Sequence, residues 1–427
     1  MLDIKFIRDN PEIVKEAVKN KKANVDVDEL LEIDKKRRQI MESSESLKAE
    51  QNSKSKGPQS PEGIEELKKI KEKFKELEGG LTEIEKKFHE IMLKVPNIPS
   101  EDTPVGVDES GNKVIRQVGK ISGFPFKPKE HWELGQELDI LDSERAAKVS
   151  GARFVYMKGG LALMEFALMQ YALSVLTDSG QLKKIIKKAK LDVPDTPFIP
   201  VLPPVFIKPD VFQKMGRLEP KEERYHISSD NLYLIGSAEH TLGSMHMDEF
   251  IKIENLPLRY VGFSTAFRRE AGSYGKDMKG MLRVHQFDKL EMESFTLPED
   301  SVKEQDFIVA IQEYMIQDLE LPYQVVAICS GDMGAPDARQ IDIETWMPGQ
   351  NKYRETHTSD LMTDFQSRRL AIKFKRDNKS EFVHMNDATA FAGRTLIAIM
   401  ENYQTEKGTV KIPKVLQKYM GGLEAIQ

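Results

Sequence analysis

The chain has 427 residues, 39% of them hydrophobic and 31% charged, enough for two or three domains with a solvated, charge-rich element. Its one cysteine, Cys329, excludes a disulfide framework and a cysteine-based zinc site, and it suits a reducing compartment. A net charge of −6 argues mildly against nucleic-acid binding by the whole surface, yet a local basic face can hide within such a total.

The opening residues, MLDIKFIRDN, are charged from the third position and lack the apolar core of a signal peptide. The most apolar stretch, residues 159–176, is broken by Glu165 and Gln170 and predicts a buried helix, not a membrane span. The expectation is a cytoplasmic protein with no membrane association.

Two long helices are predicted next. In the second, Leu67, Ile70, Phe74, Leu77, Leu81, Ile84, Phe88 and Ile91 recur at alternating spacings of three and four, a heptad seam among Lys and Glu. From Pro61 to Val95 it would extend about 50 Å. The first, residues 26–51, carries Leu30, Ile33, Ile40 and Leu47, with Arg37 and Ser44 interrupting its seam. The polar turn NSKSKGPQS between them makes an antiparallel hairpin. A plain dimerising coiled coil and an arm that reaches a distant partner both fit this pattern. Lysines and arginines gather toward the tip, but Glu interleaves with them and the charge decides little.

After Val95 comes a proline-punctuated linker, PNIPSEDTPVGVDESGNK, and then alternating short strands and helices to Gln427. Residues 266–269 and 281–287 predict two strands of a hairpin that brings Arg268 and Arg283 onto one sheet, where guanidinium groups could hold phosphate or carboxylate oxygens. A salt-bridged surface hairpin has the same composition. Ser237 and Glu239, two apart, would face one side of a strand and could hold an ammonium group. Arg394 stands where small residues enter an apolar helix, a place for a polyphosphate clamp or for an ordinary cap.

Six blocks in order then resemble one family. FRREAGSYGKDMKGMLRVHQFDKLEME is similar to motif 2 of class II aminoacyl-tRNA synthetases in its seryl form, and GRTLIAIMENYQ to motif 3. LYLIGSAEHTL resembles the serine-site strand, PGQNKYRETHTSDLMTDFQSRR the metal- and ATP-binding strand, and VPNIPSEDTPVGVDESGN and KIPKVLQKYMGGLEAI the linker and tail. The chain is identified as a member of the seryl-tRNA synthetases of bacterial type.

The resemblance implies an α+β fold. A tRNA-binding domain over residues 1–112, with its helical arm at about 26–95, would precede a catalytic domain over 113–427 built on an antiparallel sheet flanked by helices. It implies ATP-dependent attachment of L-serine to tRNA(Ser) through seryl-adenylate, with tRNA(Sec) a further acceptor in hosts that have one. Arg268, Arg394 and Glu355 would be catalytic. Ser237, Ala238, Glu239, Arg268, Glu291, Ala388 and Thr389 would bind serine. Arg268, Arg269, Glu270, Val284, Phe287, Glu355, Thr356, His357, Thr358 and Arg394 would bind ATP, with Glu355 and Thr358 ligating Mg2+ and no zinc. A homodimer would form through motif 1, the helix 161–176 with a strand through 198–206, and the arm would grip a tRNA docked on the other subunit.

Three departures from the family pattern stand out. Ser237 replaces the usual threonine. Ala388 stands where Ser or Thr is usual, so that either Thr389 supplies the hydroxyl through a one-residue deletion before Gly393 or the serine pocket is altered. Residues 178–196 form a lysine-rich stretch, a solvated surface insertion or a tRNA contact. The alternative function is that of a paralogue with changed amino-acid specificity or a carrier-protein acceptor, although the carrier-loading types lack the arm.

Overall fold

A computed structural model describes the chain except residues 57–59, 122 and 272–278, which include parts of the turn at the arm's tip and of the glycine-rich loop. It divides into two compact units, Met1–Ile98 and Pro99–Gln427.

In the first unit two short helices, α1 (Ile4–Asp9) and α2 (Pro11–Asn20), precede the long α3 (Val27–Lys54) and α4 (Pro61–Met92). Asp26 caps α3 by accepting the amides of Asp28 and Glu29 at 2.9 and 3.1 Å. Ser60 accepts Gly63 N at 3.1 Å to cap α4, with Pro61 in the first turn, where a missing N–H costs nothing. Ion pairs Lys87–Glu29 and Lys54–Glu66 join opposite ends of the two helices and establish the antiparallel hairpin. Every predicted seam position of α4 is shielded, while its neighbours, Gly63 and the buried Met92 aside, are exposed. Arg37, the misfit in the α3 seam, is absorbed because its guanidinium lies 4.5 Å from the Phe88 ring centroid and bonds Asp34 at 3.2 Å.

The second unit is built on an eight-stranded sheet. Its strands are β1 (Lys113–Val118), β2 (Ile199–Val201), β3 (Leu258–Phe267), β4 (Gln286–Thr296), β5 (Tyr323–Ala327), β6 (Arg339–Met347), β7 (Lys352–Thr363) and β8 (His384–Ala392). Their spatial order is β1-β5-β6-β7-β8-β4-β3-β2, antiparallel throughout except for the β2–β3 pair. One face is covered by α5 (Gly159–Leu176) and α7 (Ser301–Asp318), whose Leu168, Ala172, Phe307 and Ile311 join the main apolar core. Gln305 and Gln312 of α7 reach the sheet, donating to the carbonyls of Ser359 and Thr389 at 2.9 and 2.8 Å. The last helix used here, α8 (Gly393–Asn402), follows β8 directly.

Several sequence expectations shift. The boundary expected at 112/113 falls instead at 98/99, because the linker is tied into the sheet unit: Ser100 N donates to Ala338 O at 2.8 Å and Cys329 N to Asn112 Oδ1 at 2.9 Å. The hairpin strands are longer and earlier or later than predicted. The ladder closes at the Arg268 N to His285 O bond, and Glu270, at φ +50°, turns the chain away. The motif 1 strand is confined to β2, with a separate strand at Phe206–Ile207, since Pro203 and Pro204 have no N–H for a ladder.

The insertion is helical, with its lysines exposed. It holds α6 (Ser179–Ala189), capped by Asp178, which accepts Gly180 N at 2.7 Å. Leu182 and Ile185 are buried, and Lys188 reaches Gln317 of α7 at 2.6 Å. Among the described residues α5 alone is long and apolar enough to cross a membrane, and 56% of it is buried in this unit, where Tyr171 bonds Asp318.

Candidate active site

A cavity of about 380 Å³ opens on the sheet face opposite α7. Strand alternation chooses what lines it. Phe287, Lys289 and Glu291 follow at period two on β4, and Asp387 and Thr389 do so on β8. Bulges then change the phase. On β8, Thr389 pairs with Glu291 but Phe391 with Leu290, so Ala390 is extra and Ala392, Gly393 and Arg394 come round to the cavity. On β7, Ile343 pairs with His357 but Glu344 with Glu355, and Glu355, Thr356, Thr358 and Asp360 line the cavity.

One end is rich in guanidinium groups. Arg268, just past β3, lies 5.4 Å from the Phe287 ring centroid and donates Nε to Gly236 O at 3.1 Å. Arg283 bonds Glu270 at 3.1 Å. Arg394, in the first turn of α8, pairs with the Glu355 carboxylate at 3.1 Å and with the Glu355 carbonyl at 3.1 Å. Burial opposes the ionisation of Glu355, but Arg394 and Arg268 prevail and hold its carboxyl below the ordinary range. The nearby Asp342 is pushed well up by burial and by the Glu355 charge. Thr358 Oγ1 lies 3.5 Å from Glu355 Oε1.

The other end is rich in carboxyls. Carboxylate oxygens of Glu239, Glu291 and Asp387 all lie within 4.8 Å of one another. Lys289 ion-pairs with Glu291 and stands 3.3 Å from Ser237 Oγ. Arg217 pairs with Glu239 at 2.7 Å, Asp337 at 3.0 Å, Asp360 at 3.2 Å and Asp387 at 3.3 Å. Burial would raise Glu239, but Arg217, His240 and Lys289 override it and bring its carboxyl down to about 2. Asp387 moves the other way, well up, through burial and then the Glu239 and Asp360 charges. Glu293, directly across the ladder from Asp387, is fully buried and also pushed well up.

Ser237, Glu239, Arg268, Glu270, Val284, Phe287, Glu291, Glu355, Thr356, Thr358, Thr389 and Arg394 thus meet in one place. Four expected residues do not line it. Ala238 and Ala388 are packed into apolar clusters, and Arg269 lies outside the lining, its amide bonded to Glu223 O. The His357 side chain faces the core against Phe391, with burial lowering its pKa to about 3, and only its backbone follows the strand. Ser237 and Glu239 share a side for a different reason from the one expected. The strand Leu232–Leu234 has ended, and Glu239 begins a one-turn helix, Glu239–Leu242, with Gly236 N donating to His240 Nδ1 at 3.2 Å.

Arg217, Lys289 and Asp360 also line the cavity, though no motif in the sequence marks them. Lys289 was recoverable from its period-two spacing between Phe287 and Glu291. Arg217 carries no local signal, because each of its acidic partners is at least 22 positions away.

Residues 1–99 match the family model for the seryl-tRNA synthetase N-terminal domain, and residues 224–403 match that for the tRNA synthetase class II core domain (G, H, P, S and T). The serine–tRNA ligase of Pelobacter propionicus is 40% identical over 439 residues, covering all of both chains. The chain belongs to the seryl-tRNA synthetases. It attaches serine to tRNA, as a class II ligase. The seryl-tRNA synthetase of Pyrococcus horikoshii, solved with ATP, superposes with a TM-score of 0.89 at 37% identity, over 100% of this chain and 99% of that one. The cytoplasmic serine–tRNA ligase of Naegleria fowleri, solved with AMP, gives 0.86 at 32% identity, over 100% and 99%. All the residues that line the cavity, Arg217 and Glu223 aside, fall within the stretch that matches the class II core domain.

Proposed function

We propose that Arg268 joins the two ends of the reaction. The observation that supports this is its double attachment, to the Phe287 ring at the guanidinium-rich end and to Gly236, beside Ser237, at the carboxyl-rich end. There it holds the serine carboxylate against the α-phosphate of ATP. A carboxylate oxygen attacks the α-phosphorus, the bond to the β-phosphate breaks, and pyrophosphate leaves. The terminal ribose hydroxyl of the tRNA then attacks the seryl carbonyl, and AMP departs. No covalent enzyme intermediate is required, and catalysis is positioning with charge neutralisation.

Adenine stacks on Phe287, with Glu270 and the Val284 backbone at its edge. Arg394 takes the γ-phosphate. Glu239 and Ser237 hold the serine ammonium group, and Glu291 with Thr389 its hydroxyl, leaving Ala388 as core packing. A site that hydrogen-bonds a hydroxyl rejects alanine because its polar groups would stay unpaired.

Glu355 and Thr358 would hold Mg2+. The donor set fits, since both offer hard oxygen ligands with Asp342 close by, and carboxylates shared with substrate phosphates suit this ion. When bound it would supply charge neutralisation on the phosphate oxygens.

The exposed apolar side chains of Leu163 and Phe166 on α5, Ile199 on the edge strand β2, and Leu202 after it support a two-fold homodimer through motif 1. The arm of one subunit would then contact the variable arm of tRNA(Ser), or of tRNA(Sec), on the other, reading backbone and shape. The cytoplasm, where tRNA and ATP meet, is the setting.

Exchange of labelled pyrophosphate into ATP, with serine, threonine, alanine and glycine in parallel, tests the assignment. Serine alone should support it. Exchange with another amino acid, or exchange without tRNA charging, would instead indicate a paralogue.

A further inference from the structure

The carboxyl-rich end of the cavity poses an electrostatic problem. Glu239, Glu291 and Asp387 crowd together in a buried place, with Asp360 and Glu293 close behind. Carboxyls in such a setting lose solvation and repel one another, and the easiest escape is to bind protons or move apart. A protonated or displaced Glu239 could not take an ammonium group as an ion pair. Lys289 attends to Glu291, on the Ser237 side. Among the described residues, only Arg217 forms ion pairs with both Glu239 and Asp387.

We propose that Arg217 is the positioning residue of the serine site: its guanidinium fork holds the Glu239 and Asp387 carboxyls side by side, keeping Glu239 ionised and aimed at the substrate ammonium group. The geometry is that of a brace. Nε lies 2.7 Å from Glu239 Oε1 as an ion pair, while Nη2 donates to Asp387 at 3.3 Å, to Asp337 at 3.0 Å and to Asp360 at 3.2 Å. These partners come from separate places in the chain: the turn after Leu232–Leu234, the loop before β6, β7 and β8. The Arg217 carbonyl is itself fixed, accepting Arg224 Nη2 at 2.7 Å. A planar fork can hold several carboxylates in fixed relation, which a single ammonium cannot.

This role depends on Glu239 being the ammonium ligand proposed for it, and three variants separate the two ideas. Pyrophosphate exchange is measured for E239Q, R217M and R217K, with serine and ATP each varied, alongside thermal melting. The expected result is a serine KM raised about 10- to 100-fold in R217M, with ATP KM within about twofold of wild type. R217K should fall between, since it restores charge without the fork. E239Q should raise serine KM as well. A serine KM unchanged in R217K and R217M, with E239Q raised, would overturn the role of Arg217 and leave Glu239 in place. An unaffected E239Q would overturn both. An equal rise in the KM of both substrates would make Arg217 a general structural prop, which also overturns the proposal. Should R217M not fold, R217K alone decides, because it keeps one buried cation among the carboxyls.

Discussion

Arg394 grips Glu355 twice, once at the carboxylate and once at the main-chain carbonyl, each at 3.1 Å. The two residues lie 39 positions apart and come from β7 and the start of α8. In the absence of substrate each neutralises the other. With Arg394 taking polyphosphate and Glu355 a cation, as proposed, substrate binding would exchange this one pair for two.

The exchange makes the two variants differ. E355Q should raise the Mg2+ concentration needed for half-maximal pyrophosphate exchange by about tenfold or more, while ATP affinity at saturating Mg2+ changes less. R394A should chiefly raise ATP KM. Metal titrations of both variants check this, and identical Mg2+ curves for E355Q and wild type would remove Glu355 from the metal site.

Thr389 faces the cavity and Ala388 the core, so their substitutions should separate cleanly. T389V should cost serine activation about 10- to 100-fold in kcat/KM, the worth of roughly 1–3 kcal/mol for one buried hydroxyl partner. Its discrimination against alanine should narrow accordingly. A388S, placed among apolar neighbours, should gain no serine affinity and should lower the melting temperature.

Glu165 in α5 is buried, and burial with the nearby Asp288 charge raises its pKa from the ordinary 4.5 to about 8. The folded chain holds this proton where the unfolded chain has released it. Between pH 4.5 and 8 the folded state therefore binds more protons, and stability falls as pH rises through that window. The full penalty, on the order of 3–5 kcal/mol, is present above pH 8. E165Q should melt higher than wild type at pH 9, with the gap closing near pH 5, as followed by calorimetry.

Lys68, Lys71 and Lys75 lie exposed along one face of α4, beside the shielded seam. Reversing all three to Glu should leave serine-dependent pyrophosphate exchange unchanged and weaken tRNA charging. If they meet phosphates, the salt dependence of tRNA binding should flatten by about one unit of log–log slope per lost contact. Unchanged charging across salt concentrations would place the tRNA contact elsewhere on the arm.

The sequence by itself determined whatever depends on local period and chain order. The α4 seam was legible because 3.5-residue spacing is local, and the shielding of all eight seam residues follows it. The order of the motif blocks singles out Arg268, Glu291, Glu355 and Arg394, and all four line the cavity. Tertiary structure decided what depends on phase and on distant partners. A single bulge at Ala390 sets whether Ala392 or Phe391 meets the cavity, and the matching irregularity near Thr356 leaves His357 in the core. Residue types do not announce a bulge, since it arises where two strands of unequal length must be joined. Arg217 is the clearest case. Its partners lie 22, 120, 143 and 170 residues further on, and only packing of a sheet against a loop brings their charges to one point.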